Sequence, residues 1–266
     1  MKVSILEILG YAAAVLMGVV LGVIGGGGSI LTVPILVYLF NTNATIATGY
    51  SLLIVGATAA FGAIRYYRQG LIEIHSAITF AIPSIIAVYL TRAYLMPAIP
   101  DVIMTSPFVI EKDSFIMVGF GMLMVLSAVM MLTSDNSKLD STKPKQSYPM
   151  IIVEGAVVGV ATGILGAGGG FLIIPALVLL MGMDMKKAVG TSLLIIAFKS
   201  LIGFTGDLQA GIHLDWKLLS SLIVCTVVGM WIATFVAGKI EGKNLQKGFG
   251  YFTLVIAIFI FAKELI

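Results

Sequence analysis

Residues 22–34 read GVIGGGGSILTVP, and residues 163–175 read GILGAGGGFLIIP. The second stretch is the first displaced by 141 positions, and the register continues without a gap. Residues 18–71 align with 159–212, with 19 identities in 54 positions. Gly18, Gly22, Gly25, Gly27, Gly28 and Pro34 fall on Gly159, Gly163, Gly166, Gly168, Gly169 and Pro175. Gly49, Ser51, Leu52, Leu53 and Ile54 fall on Gly190, Ser192, Leu193, Leu194 and Ile195, and Gly62 and Gly70 on Gly203 and Gly211. Unrelated apolar segments exchange Leu for Ile; they do not keep eight glycines and a proline in step. The chain is a duplication, and a repeat of this length decides the architecture.

The material around the repeat is apolar. Of 266 residues, 59% are hydrophobic and 11% charged, against roughly 45–50% and 25% in soluble domains. Mean hydropathy is +1.08. A soluble chain must still cover itself with polar groups, so this composition belongs in a bilayer. Long apolar spans run at about 5–24, 46–67, 74–96, 114–132, 150–166, 187–206, 216–237 and 248–265. Each approaches the ~20 residues needed to cross hydrocarbon. Two shorter runs, Ile30–Phe40 and Phe171–Met183, each follow a glycine cluster and carry Pro34 or Pro175. At 1.5 Å per residue they reach only about 16–20 Å.

The fold class predicted is therefore all-α integral membrane. Each homologous half has about four long transmembrane helices and one short broken helix. The boundaries are 1–132 for the N-terminal repeat, 133–149 for a polar linker and 150–266 for the C-terminal repeat. The linker carries Lys138, Lys143 and Lys145 and reads as solvated chain. A second extramembrane segment is expected near 97–113. The apolar N-terminus belongs to the repeat and so is not read as a cleaved leader.

Charge placement bears on orientation. If the short runs do not cross, Lys and Arg divide 8 to 7 with Lys199 left out, which decides nothing. If they cross, each half has five segments, the halves are inverted, and the division is 10 to 5. Arg65, Arg68, Lys138, Lys143, Lys145, Lys186, Lys187, Lys239, Lys243 and Lys247 then share one side. The positive-inside rule makes that side cytoplasmic, with both termini outside.

Net charge is +3, without the clustered basic face that nucleic acid requires. The lone cysteine, Cys225, excludes an intrachain disulfide and reads as a small core hydrophobe. His75 and His213 lie near helix starts with no metal-ligand spacing around them. Arg65 and Arg68 with Tyr66 and Tyr67 read as an interfacial helix end. Glu154, near the start of its span, reads as interfacial, with a proton-coupling role as the alternative, and Asp207 and Gln209 read as part of a short loop. No catalytic set is visible. The glycine clusters also fail as nucleotide loops: Phe171 stands where a dinucleotide fingerprint needs its third glycine.

What remains is chemistry for an anion. Repeats with interrupted helices are the architecture of secondary transporters. Four glycines in a row disfavour a helix, and an unwound stretch leading into a short helix presents backbone N–H groups at a positive helix end. The candidate binding residues are Gly25, Gly26, Gly27, Gly28 and Ser29 in the first half. Gly166, Gly168, Gly169 and Gly170 are their counterparts, and Ser51 and Ser192 lie on the following helices. Lys199 completes the set. It is an intramembrane cation whose repeat counterpart is Thr58, and such a group faces a partner, a cavity or an ion path. No cofactor or metal is expected.

The doubled motif, with Ala47-Thr-Gly-Tyr-Ser51 and Ala188-Val-Gly-Thr-Ser192 behind it, resembles the TauE/SafE family of sulfite exporters and sulfonate-uptake permeases over nearly the whole chain. The resemblance implies transport of a small sulfur-containing anion such as sulfite, a sulfonate or thiosulfate. It points to the glycine clusters, Ser51 and Ser192, and does not extend to Lys199. The expected function is thus a secondary transporter, in the export direction, working by alternating access at the repeat interface. It would be a multi-pass protein of the inner or plasma membrane, with the lipid bilayer as its surroundings and room for a homodimer. The competing readings are an anion channel through the same pore, a membrane scaffold or enzyme subunit, and a cation transporter, which would want intramembrane carboxylates.

Overall fold

The computed structural model describes residues 5–104, 110–133, 148–166, 169–236 and 240–265. Most of the expected linker lies outside these residues, as do Lys138, Lys143, Lys145, Gly168 and Lys239. The first half consists of α1 (Ile5–Ile24), α2 (25–39), α3 (Ala44–Arg68), α4 (74–98) and α5 (Lys112–Thr133). The second consists of α6 (Tyr148–Leu165), α7 (170–180), α8 (Met185–Gln209), α9 (Trp216–Val236) and α10 (Gly242–Leu265). Between α4 and α5 lies a short antiparallel ladder, Val102–Met104 with Ile110–Glu111, so the chain is helical but not purely so.

Among the described residues, seven spans are long and apolar enough to cross a membrane. This is fewer than the eight long spans expected, because Met150–Leu165 comes out shorter; Gly170–Leu179 is short as expected. One of the seven, Leu6–Leu39, is bent back on itself. Gly25 sits at φ +74°, a left-handed conformation that costs a residue with a Cβ roughly 1–2 kcal/mol. Beyond it the chain returns along α1: Gly28 lies against Leu21, and the Phe40 ring against Gly10 and Tyr11. α1 and α2 are two arms of a hairpin.

The broken helices share one construction. Pro34 and Pro175 each lack an N–H and crowd the preceding turn. Each is followed by a widened π turn, Ile35–Leu39 and Ala176–Leu180, as expected where a helical ladder is disturbed. Backbone exceptions also repeat: Gly25 and Gly166, Asn41 and Gly182, and Gly70 and Gly211 all have positive φ.

Side chains agree with a bilayer. Along α4, Ile74, Ile78, Ile82, Ile86 and Leu90 are all exposed, an every-fourth-residue stripe on one helix face. In water that stripe would carry charge; in lipid it is the solvated surface. The interior contains α3 and α8, which pack on each other.

Packing exchanges the halves. α1 packs on α9 as α6 packs on α4; α3 packs on its counterpart α8, and α5 on α10. Glycines mark these contacts, as is usual where membrane helices approach closely. Gly18 meets Thr226 and Gly22 meets Ala233, while Gly159 meets Ser84 and Gly163 meets Thr91. Both pairs therefore run parallel. On α3, Gly49 lies near Asp207, Gly56 near Leu201 and Gly62 near Leu193, so α3 and α8 run in opposite directions. α5 and α10 do likewise, with Gly121 near Phe261 and Gly250 near Leu132.

Candidate functional site

The two glycine clusters meet at the centre. A Cβ added to Gly26 would run into the Gly170 backbone, and one added to Gly170 into that of Gly26. Each cluster also rests on the other half's long helix. Gly25 lies against Val189 and Ser192 of α8, and Gly166 against Thr48 of α3. Val189 and Thr48 are repeat counterparts, so the contact is made twice.

The first cluster is wound rather than open, contrary to the unwound stretch expected. Gly25–Leu31 forms a tight 3₁₀ turn, and Gly25, Gly26, Gly27, Gly28 and Ser29 are all buried. Unpaired backbone at membrane depth costs several kcal/mol per group, and winding satisfies it locally. The absence of Cβ lets the turn fit against Leu21 on one side and the Phe249 ring on the other. In the second half, Gly169 (φ +69°) caps α7, which begins at Gly170. Gly28, its counterpart, has no such φ. Gly168 lies outside the described residues.

Two hydroxyls, those of Ser192 and Ser29, lie at the meeting point. Ser192 Oγ donates to Val189 O at 2.8 Å and accepts from Gly26 N at 3.4 Å. Ser29 Oγ donates to Gly26 O at 2.6 Å. Ser51 Oγ, the counterpart of Ser192, is buried with no partner among the described residues. Thr58, where the second half has Lys199, pairs with Thr226 at 2.6 Å.

Lys199 completes the centre. It is 0% exposed, so its amine does not reach the interface by snorkelling. Nζ donates to Thr162 Oγ1 at 3.0 Å and sits directly against Gly169, at the N-terminal end of α7. Among the described residues no carboxylate pairs with it. A buried ammonium beside a positive helix end is two like-signed features in one place. An anion is the class of ligand whose charge such an arrangement can balance.

Two of the cavities that lie away from this centre are repeat counterparts. One, of about 700 Å³, is lined by Val178, Gly182, Met183, Asp184 and Met185 together with Lys186, Lys187 and Lys243. The other, of about 310 Å³, is lined by Val37, Asn41, Thr42, Asn43 and Ala44 together with Asp113 and Glu264. The first is basic, although Lys187 is partly spoken for by Glu73 at 3.1 Å. The second is acidic. Asp113 also caps α3, accepting from Ala44 N and Thr45 N, while Asp184 makes no such side-chain cap on α8. Neither cavity is lined by Lys199 or by residues 25–28.

Three sequence readings change. Asp207 and Gln209 are in α8, not in a loop, and Asp207 is buried. Glu154 is within α6, with both carboxylate oxygens buried and without a partner among the described residues. Arg92 was passed over: it is 1% exposed and pairs with Asp207 at 3.5 Å. It carries the signal that marked Lys199, a charge in an apolar span, but so near a helix end that only its burial sets it apart.

The chain is similar to known membrane proteins over most of its length. The family described as Sulfite exporter TauE/SafE matches residues 10–260. A "Probable membrane transporter protein" of Xylella fastidiosa (strain 9a5c) is 30% identical over 92% of this chain and 91% of its own length. "Probable membrane transporter protein YunE" of Bacillus subtilis (strain 168) is 27% identical, over 93% and 91%. No solved structure matches.

Proposed function

Since the chain belongs to the sulfite exporter TauE/SafE family and is a multi-pass membrane transporter, we propose that it carries a small sulfur oxyanion outward across the inner or plasma membrane. The observation that carries this reading is Lys199, buried against the N-terminal end of α7 where the two glycine clusters meet. A pyramidal or tetrahedral oxyanion would be counter-ion to Lys199 there, and Ser192 and Ser29 would donate to it on releasing Val189 O and Gly26 O. The family's printed description supports the sulfur chemistry.

The proposed units are two repeats, 1–132 and 150–266, joined by 133–149. They are inverted, with the centre on their pseudo-two-fold axis. Opposed directions of the equivalent pairs α3/α8 and α5/α10 support inversion, as does the return of α2 along α1. Inversion puts the basic cavity on the cytoplasmic side and the acidic one outside. A basic mouth concentrates anions, and an acidic exit disfavours their return. An inside-negative potential adds about 2.3 kcal/mol per charge per 100 mV to export. Burial of the centre away from both cavities favours a carrier over a channel. A homodimer is compatible with this arrangement.

In sealed vesicles, flux of sulfite, thiosulfate or a sulfonate is expected to saturate, to respond to membrane potential and to need no ATP. Flux that rises linearly with concentration would overturn the carrier; flux of cations alone would overturn the anion. Replacing Lys186 and Lys243 together by Gln is expected to raise KM about three- to ten-fold at low salt and less at high salt, as electrostatic steering is screened. Maximal rate should hold. A KM change indifferent to salt would remove the basic mouth from the path.

A further inference from the structure

A second buried cation, Arg92, lies at the α4–α8 contact and takes no part in the central site. It is 1% exposed. Nη1 stands 3.5 Å from Asp207 Oδ1, long for a charge-assisted hydrogen bond, which is about 2.7–2.9 Å. Nε and Nη2 have no partner among the described residues, and neither has Asp207 Oδ2. A structural Arg–carboxylate pair at this depth is ordinarily forked, with two parallel hydrogen bonds. This one uses one edge loosely and leaves the Nε–Nη2 edge open. That edge is the planar fork that matches two oxygens of an oxyanion.

The position of the pair connects it to the centre. α4 and α8 run parallel here, with Val88 against Gly203 and the start of the Arg92 side chain against Gly206. One turn back along both helices, Ser84 comes level with Lys199 and Ser200. The hydroxyls of Ser84 and Ser200 are also buried without partners among the described residues. Open polar groups thus step from Lys199 to Arg92 along one helix contact. Eight residues of α8 separate Lys199 from Asp207, about 12 Å. Buried polar groups in a well-formed interior are overwhelmingly satisfied, so four neighbouring residues with open atoms on one seam point to a shared occupant.

We propose that Arg92 is a second station for the transported oxyanion, on the side of the centre nearer the acidic cavity, with Asp207 holding the guanidinium when no anion is there. This rests on the anion-carrier reading. An anion leaving Lys199 exchanges one buried cation for another, so its charge is not left uncompensated within the protein. Asp207 then regains Arg92 and displaces the anion towards the exit.

The test uses full-length protein with thiosulfate and sulfite as probes, measuring flux in vesicles and binding in detergent. Arg92→Gln is expected to cut maximal flux about ten-fold or more, the scale of one lost charged hydrogen-bond partner, while binding at Lys199 persists. Arg92→Gln/Asp207→Asn should not restore flux, because the guanidinium itself is required. Asp207→Asn, which keeps the guanidinium and removes its competitor, should bind anion about ten-fold more tightly than wild type. Recovery of flux in the double variant would make the pair structural and overturn the station, as would unchanged binding in Asp207→Asn. If Arg92→Gln does not fold, the Asp207→Asn binding result decides alone. Absence of wild-type binding and flux would instead remove the carrier reading itself.

Discussion

Replacing Lys199 by methionine should abolish saturable anion flux without loosening the fold. The ammonium is fully buried and has one neutral partner, Thr162 Oγ1. Keeping an unpaired charge there costs stability, and a side chain of similar length without charge relieves that cost while filling the same space. An anion entering the variant would meet Gly169 and the hydroxyls with no counter-ion. Losing one buried charge of a pair typically costs 2–5 kcal/mol or more, so the carrier should lose at least about 30-fold in affinity. Thermal stability in detergent should stay level or rise. A variant that keeps its flux would remove Lys199 from the site. One that loses flux only by unfolding would make it a structural lysine.

Adding a methyl group at the centre should act in the opposite way, on the fold. Gly26→Ala and Gly170→Ala each drive a Cβ into the other cluster's backbone. Neither side can answer with a rotamer. Overpacking that a side chain can relieve costs typically 1–3 kcal/mol; here two backbone segments from different halves must part, and the cost should exceed about 3 kcal/mol. Most of the protein should fail to accumulate in folded form. Gly248→Ala is the control: it is in α10 with nothing near its added methyl group, and alanine there should be neutral or stabilising by up to about 1 kcal/mol. Equal behaviour of the three variants, read by size-exclusion profile and melting temperature, would contradict the backbone contact at the centre.

Much of this was legible in the sequence because duplication repeats its signals. Glycines and prolines held in register located both breaks, and the widened turns after Pro34 and Pro175 follow from the same chemistry. Lys199 was legible because a charge stands out against leucine and isoleucine. Arg92 carries the same signal, but it lies near a helix end, where a basic residue ordinarily reads as an interfacial anchor; only its burial distinguishes it. Asp207 was misplaced because α8 continues through polar residues to Gln209, held by packing against α3 and α4 rather than by apolar periodicity. The winding of Gly25–Gly28 was also hidden. Intrinsic propensity argues against it, and it forms because Leu21, Phe249 and Gly170 enclose a backbone that has no water to bond.

The account turns on an anion bound where the glycine clusters meet. Calorimetric titration of thiosulfate and sulfite into purified wild-type protein and Lys199→Met tests that most directly. One competitive, saturable site per wild-type chain is expected, since Asp207 holds Arg92 at rest; it should be indifferent to exchange of sodium for potassium and weakened at least about 30-fold in a folded Lys199→Met variant. Binding of equal strength in both proteins, or binding that follows the cation, would contradict it.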